Sequence, residues 1–149
     1  MKKIFFVTLF LILALFTNVS ANEEYFNKGL NLFDKENYEK SKFFFEKDIV
    51  FNPKKTRSYL YLAKIYNLTE KVVEEEKNLN AVLLLEPINE EGAIMLIELK
   101  LKNSDFSKVK TLLNDFEKIC KKLCYKTKEI TKKLKIASAA KKKLKKYYL

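Results

Sequence analysis

Histidine and tryptophan are both missing from the 149-residue chain, and glycine and proline occur only twice each. Without histidine the chain lacks the commonest general base at neutral pH and the commonest neutral metal ligand. A triad hydrolase, a zinc enzyme and a His-ligated haem protein are all disfavoured, and no other nucleophile–base pair stands out. The chain reads as a non-enzyme that uses no cofactor. Scarce glycine and proline speak against sheet-rich folds, which need many tight turns, and for long helices joined by short polar connections. Two cysteines, Cys120 and Cys124, are too few for a structural zinc site without histidine.

The first 21 residues differ from the rest. Lys2 and Lys3 open the chain, residues 4–16 are apolar except for Thr8, and residues 17–21 are small and polar. Val19-Ser20-Ala21 offers the small residues that signal peptidase requires, so cleavage is expected before Asn22. The apolar run of 13 residues is short, because crossing a bilayer takes about 20. The expectation is an exported protein, periplasmic, with release outside the cell or anchoring by an uncleaved signal as alternatives.

From residue 22 onward the sequence repeats. Asn52-Pro53 and Glu86-Pro87 lie 34 apart, and so do Tyr25 and Tyr59, Gly29 and Ala63, Leu32 and Tyr66, Phe45 and Leu79. Tyr25, Gly29 and Leu32 recur at helical spacing and form one stripe; Tyr38, Ser41 and Phe45 form another. A small residue at Gly29 or Ala63 lets two helices approach closely, with aromatics filling the space beside the crossing. The residue before each proline leaves the helical region, which stops the second helix of a pair. Candidate N-caps are Asn22, Asn37, Thr56, Thr69, Asn89 and Ser104. Glu90 and Glu91 suit the positive end of the helix that follows Asn89.

This pattern resembles the tetratricopeptide repeat family, whose units have that length and that order of aromatic, small and proline positions. The expected fold is all-α: an α-solenoid of about three such hairpins (22–55, 56–89 and a degenerate 90–121), then a basic amphipathic helix over 122–149 that caps the last one. The third unit keeps Leu96, Phe106, Val109 and Leu113 but lacks the small residue and the closing proline. Asp48 and Glu75 stand where the family usually has alanine, so looser packing is expected there.

The resemblance also implies a concave groove, lined by the first helix of each hairpin, that receives a partner segment. By repeat position its candidates are Phe26, Asn27, Leu30 and Phe33, then Arg57, Leu60, Tyr61, Lys64 and Asn67, then Ile94, Met95, Glu98 and Leu101. Such a mixed surface suits an amphipathic protein segment of unknown identity. Some family members clamp a C-terminal carboxylate with Lys and Asn. The corresponding positions here are Phe26, Leu30, Tyr61, Glu91 and Met95, so that activity does not carry over.

Charge is placed unevenly. The whole chain carries +11, whereas residues 121–149 hold twelve lysines and one glutamate, and residues 22–120 hold 16 basic and 18 acidic groups. Leu123, Ile130, Leu134, Ala137, Leu144 and Tyr148 form a narrow apolar seam among those lysines. The segment over 122–138 reads as the capping helix, with 141–149 extending beyond it. An exported protein seldom meets nucleic acid, so Lys141, Lys142, Lys143, Lys145 and Lys146 point to an anionic membrane surface or an acidic protein, with Tyr147, Tyr148 and Leu149 as interfacial anchors. Cys120 and Cys124 are candidates for a local disulfide in an oxidising compartment. In Phe43-Phe44-Phe45, Phe45 is core by register, and an exposed aromatic among the other two would mark a self-association patch.

Overall fold

The structure is a computed structural model that describes residues 21–147, with side chains described from 23 to 144. Residues 1–20, which hold nearly all of the expected signal, lie outside it, as do the side chains of Lys145 and Lys146. All regular structure among the described residues is helical. In chain order the helices are α1 (Ala21–Asp34), α2 (Tyr38–Phe51), α3 (Thr56–Leu68), α4 (Val72–Leu85), α5 (Glu90–Lys102), α6 (Phe106–Ile119) and α7 (Tyr125–Tyr147). None is long and apolar enough to cross a membrane.

The 34-residue period is carried by the backbone through all three hairpins, including the one that looks degenerate in sequence. The second helices α2, α4 and α6 begin at 38, 72 and 106 and end at 51, 85 and 119. The turns between paired helices recur in the same register. Glu36, Glu70 and Ser104 take positive φ values of 58°, 56° and 58°. Each donates its N–H to a carbonyl three residues back, and the next residue donates to one five back: Asn37 to Leu32, Lys71 to Tyr66 and Asp105 to Lys100. This is the Schellman closure, built here on two glutamates and a serine where glycine is usual.

That closure corrects two of the expected caps. Thr69 caps nothing; its hydroxyl donates back to the Ile65 carbonyl, and α4 starts after Lys71 without a side-chain cap. Ser104 is consumed by the left-handed position, so the cap of α6 falls one residue later, where the Asp105 carboxylate accepts the Lys108 N–H at 3.1 Å. Asn37 and Asn89 cap α2 and α5 as expected.

The chain divides into two compact units, one ending at Ser58 and the other starting at Tyr59. In the first, α1 packs on α2 through Phe26 and Phe45, both fully buried with ring centroids 5.5 Å apart. Gly29 sits against the Phe45 ring so closely that a Cβ there would lie 2.7 Å from Cε1. Its carbonyl accepts the buried Ser41 hydroxyl at 2.8 Å, tying the two helices together.

In the second unit, Ala63, Leu79, Leu96 and Leu99 form one core cluster. Ala93, Ile94, Ile97, Val109, Leu113 and Phe116 form another, which is completed by Ile130 and Leu134 of α7. The apolar seam therefore covers the third hairpin over the first part of α7. It ends there, since Ile136 and Leu144 are exposed.

The looser packing expected at Asp48 and Glu75 is not found. Asp48 is fully buried; its carboxylate accepts hydrogen bonds from the Ser58 hydroxyl, from Asn52 Nδ2 at 3.3 Å and from Lys55 Nζ at 3.5 Å. Glu75, also buried, accepts from Asn67 Nδ2 at 2.9 Å. A buried polar group that keeps its partners packs as densely as an apolar one and avoids the desolvation penalty of an unpaired one.

The third hairpin has no proline to end it. Cys120 turns extended at ψ 143°, and it bonds to Cys124 across the break before α7, with Cα atoms 5.3 Å apart. The Glu90 carboxylate, at the start of α5, accepts the backbone N–H groups of Lys121, Lys122 and Leu123 at 2.6–3.2 Å. These bonds, led by that from Leu123, hold its carboxyl below the usual carboxylate range. A side chain and a disulfide thus replace proline at this corner.

Candidate functional site

The candidate groove positions recur every 34 residues on first helices, and the structure sorts them by burial. Phe26, Leu60 and Ile94, equivalent in the three hairpins, are all buried. Leu60 therefore supports the face from beneath, which corrects its reading as a contact residue. Phe26 is roofed by cations, with the Arg57 guanidinium 4.1 Å and Lys55 Nζ 5.0 Å from its ring centroid. Arg57 thus shields core aromatic surface while staying exposed itself.

In the first unit the remaining candidates are an exposed Asn27 and half-buried Leu30 and Phe33. Phe33 meets Tyr38 edge-on at 5.6 Å, at the tip of the hairpin. Asn27 lines a shallow 550 Å³ depression with Glu24, Lys28, Asn31, Leu32 and Phe44. Lys28 pairs with Glu24 there, and that hydrogen bond holds the Glu24 carboxyl low.

In the second unit Tyr61, Lys64 and Asn67 share one face of α3, and Met95, Glu98 and Leu101 share the equivalent face of α5. Lys64 Nζ lies 4.5 Å from the Tyr61 ring centroid and 2.7 Å from Glu91 Oε1. Lysine, tyrosine and glutamate therefore form one connected group between the two first helices. Met95 packs half-buried against the Ala63–Leu96 cluster. Glu98 is exposed, and its charge helps hold the Lys133 ammonium on α7 protonated, after the larger effect of Glu129.

Asn67 has a structural duty that the sequence did not reveal. Its amide is the hydrogen-bond donor to buried Glu75, whose carboxyl is pushed up by burial while Asn67 and Lys102 act against the shift. The face left open to a partner in this unit is Tyr61, Lys64, Glu91, Met95 and Glu98: an aromatic and a thioether, with charged heads beside them.

At the C-terminal end, Lys141 is engaged by the body. Its Nζ donates to the Ser104 carbonyl at 3.3 Å and lies 5.3 Å from the Phe106 ring centroid. Lys142 and Lys143 are exposed. Among the three consecutive phenylalanines, Phe45 is buried, Phe44 half-buried and Phe43 56% exposed.

The structural role that the sequence conceals is that of Glu90, which holds the corner before α7. Its acidic character at the helix start was visible, but its partners are 31–33 residues away, and no local pattern announces them.

These features define an all-α protein built of tetratricopeptide-like helical hairpins, and the solved structures it resembles bear that out. The Yersinia enterocolitica type III secretion translocator chaperone SycD matches with a TM-score of 0.73 at 12% identity, over 87% of this chain and 93% of that one. SycD in complex with a peptide of the translocator YopD matches with a TM-score of 0.69 at 11% identity, over 80% and 93%. The TPR2B domain of yeast Sti1, in its complex with pHsp70, matches with a TM-score of 0.68 at 16% identity, over 80% and 97%. At such identities the likeness establishes the fold. No family model matches the sequence, and no curated protein matches it either.

Proposed function

We propose that this chain is a non-enzymatic interaction scaffold of the bacterial cell envelope, exported by its N-terminal segment, that binds a segment of a partner protein on the first-helix face of its hairpins. The observation that carries the reading is the open Tyr61–Lys64–Glu91–Met95–Glu98 group. It combines apolar anchors with oriented charges on rigid helices, the composition that suits an amphipathic segment. The fold supports it too, since SycD and Sti1, which share that fold, are seen in complex with a YopD peptide and with pHsp70.

A photo-crosslinking residue placed at Tyr61 in living cells tests this reading. A discrete crosslinked protein, lost when Met95→Asp is added, is the expected result. Absence of any crosslink, with the variant folded and exported, overturns it. Cell fractionation tests the export half separately: recovery of the uncleaved chain in the cytoplasm defeats it.

A second reading makes the chain a peripheral protein of an anionic membrane surface, favoured by the exposed Lys142 and Lys143 near the end of α7. Binding to anionic vesicles that disappears on deletion of residues 141–149 would support it. Exposed Phe43 offers a face for self-association, measurable as a concentration-dependent mass.

A further inference from the structure

The register of α7 identifies it as the first helix of a fourth hairpin. Leu62 on α3, Leu96 on α5 and Ile130 on α7 lie at successive steps of 34, and all three are buried. Ile130 and Leu134 pack onto α5 and α6, as the start of a further repeat would. The turn residue Ser104 recurs at Ser138, where the helix simply continues, so that α7 runs for 23 residues against 13 in α5.

The face on which the second helix of such a hairpin would pack is marked in the structure. In the third hairpin, Ala93 and Ile97 of α5 pack against Val109, Leu113 and Phe116 of α6. One step of 34 further on, their equivalents are Thr127 and Thr131, and both line an open groove of about 460 Å³ with Glu117, Lys128, Lys132, Lys135 and Ile136. A second depression of about 540 Å³ adjoins it, sharing Glu117, Thr131 and Lys135 and adding Lys110, Leu113, Asn114, Leu134 and Ser138. The floor is apolar or carries hydroxyls, Ile136 on the rim is exposed, and four lysines face one glutamate.

We infer that this groove between α6 and α7 is a seat for an acidic amphipathic helix donated by a partner protein, which packs there as the second helix of a hairpin would. Charge complementarity names the occupant. A segment bearing Glu or Asp at helical spacing would pair with Lys110, Lys128, Lys132 and Lys135 while its apolar stripe covers Ile136 and the threonine methyls. A second copy of α7 is excluded as occupant by like charge. The site is distinct from the first-helix face of the proposed function, so the two can fail independently.

The test uses the full chain and a fluorescent 14-residue peptide with Glu, Leu and Ala at helical spacing, beside a twin with Lys in place of Glu. The acidic peptide is expected to bind, more weakly as salt rises, and the lysine twin to stay free. Lys128→Glu, Lys132→Glu and Lys135→Glu combined should weaken binding at least about tenfold. All three side chains are exposed, and circular dichroism verifies that the variant folds; Ile136→Ser is the uncharged second variant and should also weaken binding. Tyr61→Ala with Met95→Asp should leave this affinity unchanged. Equal binding of the lysine twin, or unchanged affinity in the triple variant, overturns the inference. So does loss of anionic-vesicle binding in that variant with peptide affinity intact, which would assign the lysines to a lipid surface.

Discussion

Two joints in this protein occupy equivalent places in the repeat and are built from opposite chemistry. At the first, buried Asp48 of α2 accepts a hydrogen bond from the Ser58 hydroxyl at the start of α3. At the second, 34 residues on, Val82 of α4 abuts Gly92 at the start of α5, where a Cβ would lie 2.6 Å from the valine Cγ1. One joint is held by a satisfied carboxylate and the other by close apolar contact. The difference teaches that the repeat prescribes where helices meet, and leaves open how the meeting is stabilised.

The comparison breaks most severely at the polar joint. Asp48→Ala strips the acceptor from Ser58, Asn52 and Lys55 together, and should cost about 3 kcal/mol in chemical denaturation. A loss below about 1 kcal/mol would mean that water reaches the site. The apolar joint should break by the reverse route. Gly92→Ala pushes a methyl into Val82 and is expected to cost about 1–2 kcal/mol, despite alanine's better helix propensity. A stabilised protein would show that the valine can swing aside.

Smaller changes sharpen the contrast. Glu36→Gly should raise stability by about 0.5–1 kcal/mol, because only the left-handed turn residue changes and glycine adopts that conformation without strain; a loss would imply that the side chain contributes more than its strain costs. Buried Glu75 gives the chain a pH signature. Its folded carboxyl sits above the ordinary value of 4.5, so the folded state binds the proton more tightly than the unfolded one. Stability from this group is complete below 4.5 and declines as pH rises through the raised value. Glu75→Gln should remove that decline while an amide still accepts from Asn67, and an unchanged pH dependence would assign the effect elsewhere.

Much of this architecture is legible in the sequence. The proline spacing and the pairs Gly29/Ala63 and Phe45/Leu79 set the period, and the helices follow it. The errors have local physical causes. Thr69 and Ser104 look like caps because Thr and Ser favour those positions, yet the Schellman turn carries the caps on to Lys71 and Asp105. Repeat position places Phe26, Leu60 and Ile94 alike on the groove, whereas all three are buried because this position faces inward. Asp48 and Glu75 looked like packing faults because their partners, Ser58 and Asn67, lie eight to ten residues away. Glu90 acts over a longer distance still. Of the candidate site, the register was legible, but which side chains were already committed to internal partners was not.

The equivalence of the two joints is tested most directly by transplanting one into the other and measuring unfolding free energy across the cycle of Asp48→Val, Ser58→Gly and both together. Asp48→Val alone should be clearly destabilised, and adding Ser58→Gly should recover part of the loss, giving a favourable coupling of about 1–2 kcal/mol. A double variant as unstable as the sum of its parts would contradict the claim that positions 34 apart are the same place in the fold.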